Sequence, residues 1–131
     1  MILDSNVLIA LFQHGQPKLF DRLAEWQALR TIHINLVILA EVAPSFAALA
    51  EIGSALDRLD IVLTALNRED AFRAGQAFAE YRRRGGERTA ILPDFLIGAQ
   101  AEIRGWPLVT RDRKGFQSYF PGLQIIDPTE D

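Results

Sequence analysis

Cysteine is absent from this 131-residue chain, which excludes disulfides, thiolate metal sites and cysteine nucleophiles. Histidine is scarce: with two residues, His14 and His33, a histidine-rich zinc site is a poor expectation. No apolar run approaches the roughly 18 residues of a membrane span. The first residues also lack the basic stretch and small-residue cleavage pattern of a secretory leader. A soluble, cytoplasmic protein with no membrane partner is therefore expected. Positive charge is in short supply as well. Fourteen Lys and Arg stand against seventeen Asp and Glu, a net charge of −3 and a pI of about 5.4. That balance argues against strong sequence-independent nucleic-acid binding, which depends on neutralising phosphates. It leaves room for an enzyme that gathers acids around metal ions and basic residues elsewhere.

What is present suits a folded chain. At 49% hydrophobic and 24% charged residues it can bury a core, and its length fits a single domain over 1–131. Residues 1–3 read as a short buried strand with Asp4 at its carboxyl end. Asn6 stands where a helix over 7–12 needs an N-cap. A turn through 14–17 follows, then a helical spacing of apolar residues through 19–29 that Pro17 is suited to start. Residues 31–34 form a strand, with His33 as a surface or edge histidine between Ile32 and Ile34.

Asn35 can cap a helix over 36–43, so apolar that burial on most sides is expected; Glu41 is its exception. A buried carboxylate needs a partner, because leaving water costs several kcal/mol or more. Glu41 therefore faces a cleft, pairs with a cation, or lies on a narrow exposed edge. Pro44 ends or kinks that helix, and further helical turns through 46–59 break at Gly53. A short buried strand over 61–63 precedes a helix over 68–83, capped by Asn67 and closed by Arg82, Arg83 and Arg84 before Gly85 and Gly86. A helix over 93–104 carries Asp94 in its first turn and stops at Gly105. Strand 107–109 runs into Thr110-Arg111-Asp112, followed by a short helix over 113–120 and a last strand over 123–126. Such alternation points to an α/β fold with a mostly parallel sheet.

Two strands end alike, at Asp4 and at Asp112. If they are neighbours in a parallel sheet, both acids share the edge where open α/β sheets bind ligands. Glu41 and Asp94 are the other acids without an easy solvent explanation. Four carboxylates in one cleft repel one another and raise their pKa values. A hard divalent cation relieves the conflict, since Mg²⁺ and Mn²⁺ take oxygen ligands and keep exchangeable waters. Phosphodiester hydrolysis is the natural chemistry of such a site. The plainer alternative makes Asp4 and Asp94 helix-start residues, Asp112 a turn acid and Glu41 a partly exposed core-edge acid.

At these residues the sequence resembles the PIN-domain ribonucleases, and among them the VapC-type toxins of bacterial toxin–antitoxin pairs. The resemblance rests on Leu3-Asp4-Ser5-Asn6-Val7-Leu8-Ile9, Ala40-Glu41-Val42, Pro93-Asp94-Phe95-Leu96-Ile97-Gly98-Ala99 and Thr110-Arg111-Asp112, in this order along essentially the whole chain. It implies a three-layer sandwich with helices on both faces of a parallel sheet. It also implies a Mg²⁺ or Mn²⁺ site on Asp4, Glu41, Asp94 and Asp112, with Asn6 and Thr110 as polar supports. Cleavage of single-stranded RNA, homodimerisation and a cognate antitoxin are further implications. An acidic chain needs a local basic surface for RNA, for which Arg111, Arg113 and Lys114 beside Asp112 are candidates, as are Arg82, Arg83, Arg84 and Arg88. Trp26, Trp106 and the phenylalanines suit a core better than base stacking. Two other readings stay open. A haloacid-dehalogenase-like phosphatase also places an Asp after its first strand, but needs a second Asp where this chain has Asn6; a non-catalytic PIN-like binding module needs no metal.

Overall fold

The computed structural model describes residues 1–13, 16–86 and 92–129. The expected turn at His14-Gly15 and the candidate Arg88 lie outside the described residues. Five strands form one parallel sheet: β1 (Ile2–Leu3), β2 (Ile32–Ile34), β3 (Ile61–Leu63), β4 (Leu108–Val109) and β5 (Ile125–Ile126), in the order β3-β2-β1-β4-β5. Ile2 pairs with His33 on one side, while Ile2 and Leu3 pair with Leu108 and Val109 on the other. The outer pairs place Ile34 beside Leu63 and Val109 beside Ile126. The chain builds outward from β1 to β2 and β3, then crosses back to lay β4 and β5 on β1's other flank. The strand order reverses at β1, and ligands of open α/β sheets sit outside the carboxyl ends of strands at such a reversal. Asp4 leaves β1 at that point.

Among the described residues, seven α-helices connect the strands and cover both faces as a sandwich: α1 (Ser5–Phe12), α2 (Pro17–Leu29), α3 (Leu36–Val42), α4 (Leu49–Arg58), α5 (Arg68–Arg83), α6 (Leu92–Arg104) and α7 (Arg113–Gln117). Among the described residues no single helix is long and apolar enough to cross a membrane. Both residues of β1 and of β4 are fully buried, as expected of central strands covered on both faces. Helices α5 and α6 are clamped by Arg73 to Glu102 at 2.7 Å and by Arg104 to the buried Asp70 at 2.8 Å. Asp70 also closes a capping box with Asn67 at the start of α5.

Several expectations need correction. Asn6 is the second residue of α1; the cap is Asp4, whose carboxylate accepts from the Ser5 amide at 2.8 Å. Helix α3 is not buried on most sides: Ile38 and Val42 face the core while Leu36 is 56% exposed. An apolar helix only seven residues long cannot be wrapped all round when one face looks outward from the sheet. Gly53 does not interrupt α4, which runs through it. Strand β3 is half wrong as a buried strand. It lies at the sheet edge, so Ile61 is buried but Val62 and Leu63 are exposed.

The expected cap on α3 is present and reaches further than a cap. Asn35, 0% exposed, accepts from the Ile38 amide at 3.0 Å and donates to Gln100 at 2.9 Å; Gln100 in turn donates to the Ala65 carbonyl at 3.1 Å. This chain of bonds ties α3, α6 and the loop after β3 together. Asn35→Ala removes the cap and leaves the Gln100 carbonyl buried without its donor, so it should cost about 2–4 kcal/mol of unfolding free energy. Urea denaturation checks this, and a loss below about 0.5 kcal/mol would show that water replaces both bonds.

Candidate active site

The site begins with the pairing of β1 and β4. It continues one residue past the strands, where the Asp4 amide donates to the Val109 carbonyl at 2.9 Å. Asp4 and Thr110 thus emerge side by side, both buried, at 4% and 0% exposure. The Thr110 hydroxyl donates to Asp4 Oδ2 at 2.7 Å and accepts from the Asp112 amide at 3.0 Å. Asn6 Nδ2 reaches both Asp4 Oδ2 and Thr110 Oγ1 at 3.4 Å, and Asn6 Oδ1 accepts from the Arg111 amide at 3.4 Å. Asn6 and Thr110 therefore stand where supports of Asp4 should stand, and they tie the start of the chain to the Thr110–Asp112 turn.

The other acids arrive from separate helices. Asp94 is in the first turn of α6, Glu41 is in the last turn of α3, and Asp112 caps α7 by accepting from the Gly115 amide at 3.3 Å. Gly115 permits that cap, because a Cβ there would stand 2.8 Å from Asp112 Oδ2. The plainer alternative is therefore correct about local roles, since Asp4 and Asp112 are caps and Asp94 is a first-turn acid. It omits the mutual proximity of the four.

Charge coupling shows that proximity. Burial, and then the charges of Asp4, Glu41 and Asp112, push the Asp94 carboxyl up from 3.8 to about 7. Burial also raises Asp4, against hydrogen bonds from Thr110 and Ser5 that favour the anion, with Asp112 adding to the rise. Glu41 is raised by burial of its carboxyl end and by Asp4, opposed by a hydrogen bond with Ser5. Asp94 feels all three of the others. The charges that shift Asp4, Glu41 and Asp94 are those of other acids. Helix N-termini ordinarily favour carboxylates, so burial and repulsion outweigh that help here. The residue that sequence reasoning passed over is Ser5, whose hydroxyl lies 3.5 Å from Asp4 Oδ1 and bonds Glu41. A hydroxyl directly after the strand-end acid was the available signal.

The acids do not meet the expectation of standing within metal-bridging reach. Among the described residues, no three Asp, Glu or His side chains are drawn into a ready cage. Mg²⁺ commonly takes one or two carboxylates and keeps several waters, so the donor set still suits a hard divalent cation: oxygen atoms only, with the negative charge of several carboxyls nearby.

Of the basic candidates, Arg111, Arg113 and Lys114 flank Asp112 at this edge. The α5 run is elsewhere engaged. Arg83 and Arg84 both pair with Glu80, Arg84 also lies over the Tyr119 ring at 5.2 Å, and no charge from the run is among those that shift Asp4, Glu41 and Asp94. The tryptophans are structural. Trp26 is buried, and Trp106 stacks on His33 at 3.9 Å with Arg104 over it at 5.4 Å.

The sequence pattern of the PIN domain family matches residues 1–119. The chain belongs to the PIN domain family. A comparison with curated proteins finds no significant match. Among solved structures, this PIN domain is similar to a chain of a toxin–antitoxin complex from Klebsiella pneumoniae, with 26% identity and a TM-score of 0.73, covering 99% of this chain and 98% of that one. It shares its fold with a chain of the DNA-bound VapBC from Salmonella typhimurium (23% identity, TM-score 0.76, 97% and 96% covered). It does so too with a chain of VapBC2 from Rickettsia felis bound to a promoter DNA fragment (20% identity, TM-score 0.76, 95% and 96% covered). Membership of this family leaves the phosphatase reading without support.

The raised acids give this PIN domain a defined pH response in the absence of metal. Asp94 keeps its proton when folded up to about pH 7, whereas the unfolded chain releases it near 3.8. Its contribution to stability is therefore full below about pH 4 and is lost as pH rises through about 7. The melting temperature of the metal-free protein should fall between pH 5 and pH 8, and Asp94→Asn should flatten the fall. A melting temperature that rises over this interval, or an unchanged slope in the variant, would contradict the coupling.

Proposed function

We propose that this PIN domain is a Mg²⁺- or Mn²⁺-dependent endoribonuclease that cleaves single-stranded or loop RNA and serves as the toxin of a type II toxin–antitoxin pair. The observation that carries the reading is Asp94: a carboxyl raised to about 7 by burial and by three neighbouring acids. Such a group is costly for stability and useful for holding a divalent ion. Asp4, Glu41, Asp94 and Asp112 would hold the metal, which when bound supplies charge neutralisation at phosphate oxygens and an activated water. Thr110 and Asn6 orient Asp4. Ser5 stands beside Asp4 and Glu41, and its hydrogen bonding favours the charged form of each. The bond broken is a phosphodiester, with water adding at phosphorus and a ribose oxygen leaving.

The likeness to a chain of the Klebsiella toxin–antitoxin complex supports an antitoxin partner. A groove of about 430 Å³, lined by Leu36, Leu39, Ala43, Phe46 and Leu49 among others, offers an apolar seat for an antitoxin segment. Homodimerisation and a cytoplasmic location complete the proposal and rest on the family resemblance and composition.

Asp4→Asn and Asp112→Asn should each abolish RNA cleavage, by at least about a hundredfold if oriented charge supplies several kcal/mol of the barrier, while circular dichroism stays unchanged. Full metal-dependent cleavage by either variant would refute the site. Replacing Arg113 and Lys114 with Ala should weaken RNA binding and lower the slope of log K against log[salt] by about 0.7 per lost phosphate contact. An unchanged slope would move the RNA contact elsewhere.

A further inference from the structure

We infer that Asp127 is a fixed counter-charge at the rim of the cleft that restrains the hold of Arg111 and Arg113 on RNA phosphates and so limits sequence-independent binding. The inference rests on the nuclease reading above. Sheet register places the residue. Val109 pairs with Ile126, and the Thr110 amide donates to the Ile126 carbonyl at 3.0 Å. The next residue of β5's chain, Asp127, therefore leaves the sheet beside Thr110 and Arg111, at the edge that carries Asp4 and Asp112.

Its carboxylate is pinned. Asp127 Oδ1 accepts from the Thr129 amide at 2.9 Å and from the Thr129 hydroxyl at 2.6 Å. The intervening Pro128 is buried, and its carbonyl accepts from Arg22 of α2 at 3.1 Å, which anchors the segment to the body of the fold. Those Thr129 bonds, followed by the charges of Arg113 and Arg111, hold the carboxyl below its usual range. A negative charge thus stands in a fixed place within the field of the two arginines that flank the fourth acid.

The consequence is competition. A phosphate that approaches either guanidinium meets the Asp127 charge as well, so the rim offers less net positive charge than its arginines suggest. Backbone neutralisation is the sequence-independent part of nucleic-acid affinity. Restraining it leaves more of the choice of substrate to loop shape and exposed bases.

The test measures binding of a mixed-sequence single-stranded RNA oligonucleotide across a salt series, with chelator present so that no cleavage occurs. Asp127→Asn keeps an oxygen for the Thr129 bonds and removes the charge; Asp127→Ser is a second neutral variant, and Asp127→Glu keeps the charge. Both neutral variants should bind about three- to tenfold tighter at low salt with a slope steeper by about 0.7, one further phosphate neutralised, while Asp127→Glu matches wild type. In an Arg111→Ala, Arg113→Ala background the gain should vanish. If wild type binds RNA and the neutral variants, with unchanged melting temperature, bind equally or more weakly, the counter-charge role is refuted alone. If neither wild type nor variants bind RNA, the nuclease reading falls and this inference with it.

Discussion

The site depends on the parallel pairing of β1 with β4. Each strand is two residues long, yet the register Ile2 to Leu108 and Leu3 to Val109 decides which side chains emerge together at the sheet edge. A slip of one residue would exchange which side chains face each covering layer, and it would part Asp4 from the Thr110 hydroxyl 2.7 Å away. Full burial of all four strand residues makes that slip expensive, since each exposed Leu or Ile side chain forfeits about 1.5–3 kcal/mol. The apolar core thereby fixes the position of polar atoms that contribute nothing to it.

Function sets a cost against that stability. Asp4 is buried, Asp94 is pushed to about 7, and Glu41 is raised despite its exposed residue position. Three separate devices act on Asp4, Glu41 and Asp112. The Thr110 hydroxyl satisfies Asp4, the Ser5 hydroxyl serves Asp4 and Glu41, and the Gly115 amide caps Asp112. None neutralises the charge. The fold thus holds a carboxylate set whose conflict a bound divalent cation would resolve, and the same cation would stabilise the folded chain by binding it in preference to the unfolded one.

Much of this was legible in the residues. Asp4 and Asp112 each follow an apolar strand, and Asn35 and Asn67 announced their helices by capping chemistry that is local in sequence. Asp94 was legible because an acid just after Pro93 belongs in a helix's first turn. What failed needed the third dimension. The apolar run of α3 does not say that one face looks outward, and an Ile-Val-Leu strand reads the same at a sheet edge as at its centre. Asn6 was misread as a cap because Asp4, two residues earlier, performs that role while serving the site. Arg82, Arg83 and Arg84 looked like a basic surface, but Glu80 lies one helical turn before two of them and pairs with both.

The most direct test of the account is calorimetric titration of Mn²⁺ into the protein near pH 7 in buffers of different ionisation enthalpy, which counts protons released on binding. The Asp94 carboxyl raised to about 7 predicts binding with proton release near that pH, and a smaller release in Asp94→Asn. Absence of Mn²⁺ binding, or binding with no proton release and no dependence on Asp94, would contradict the four-acid metal site.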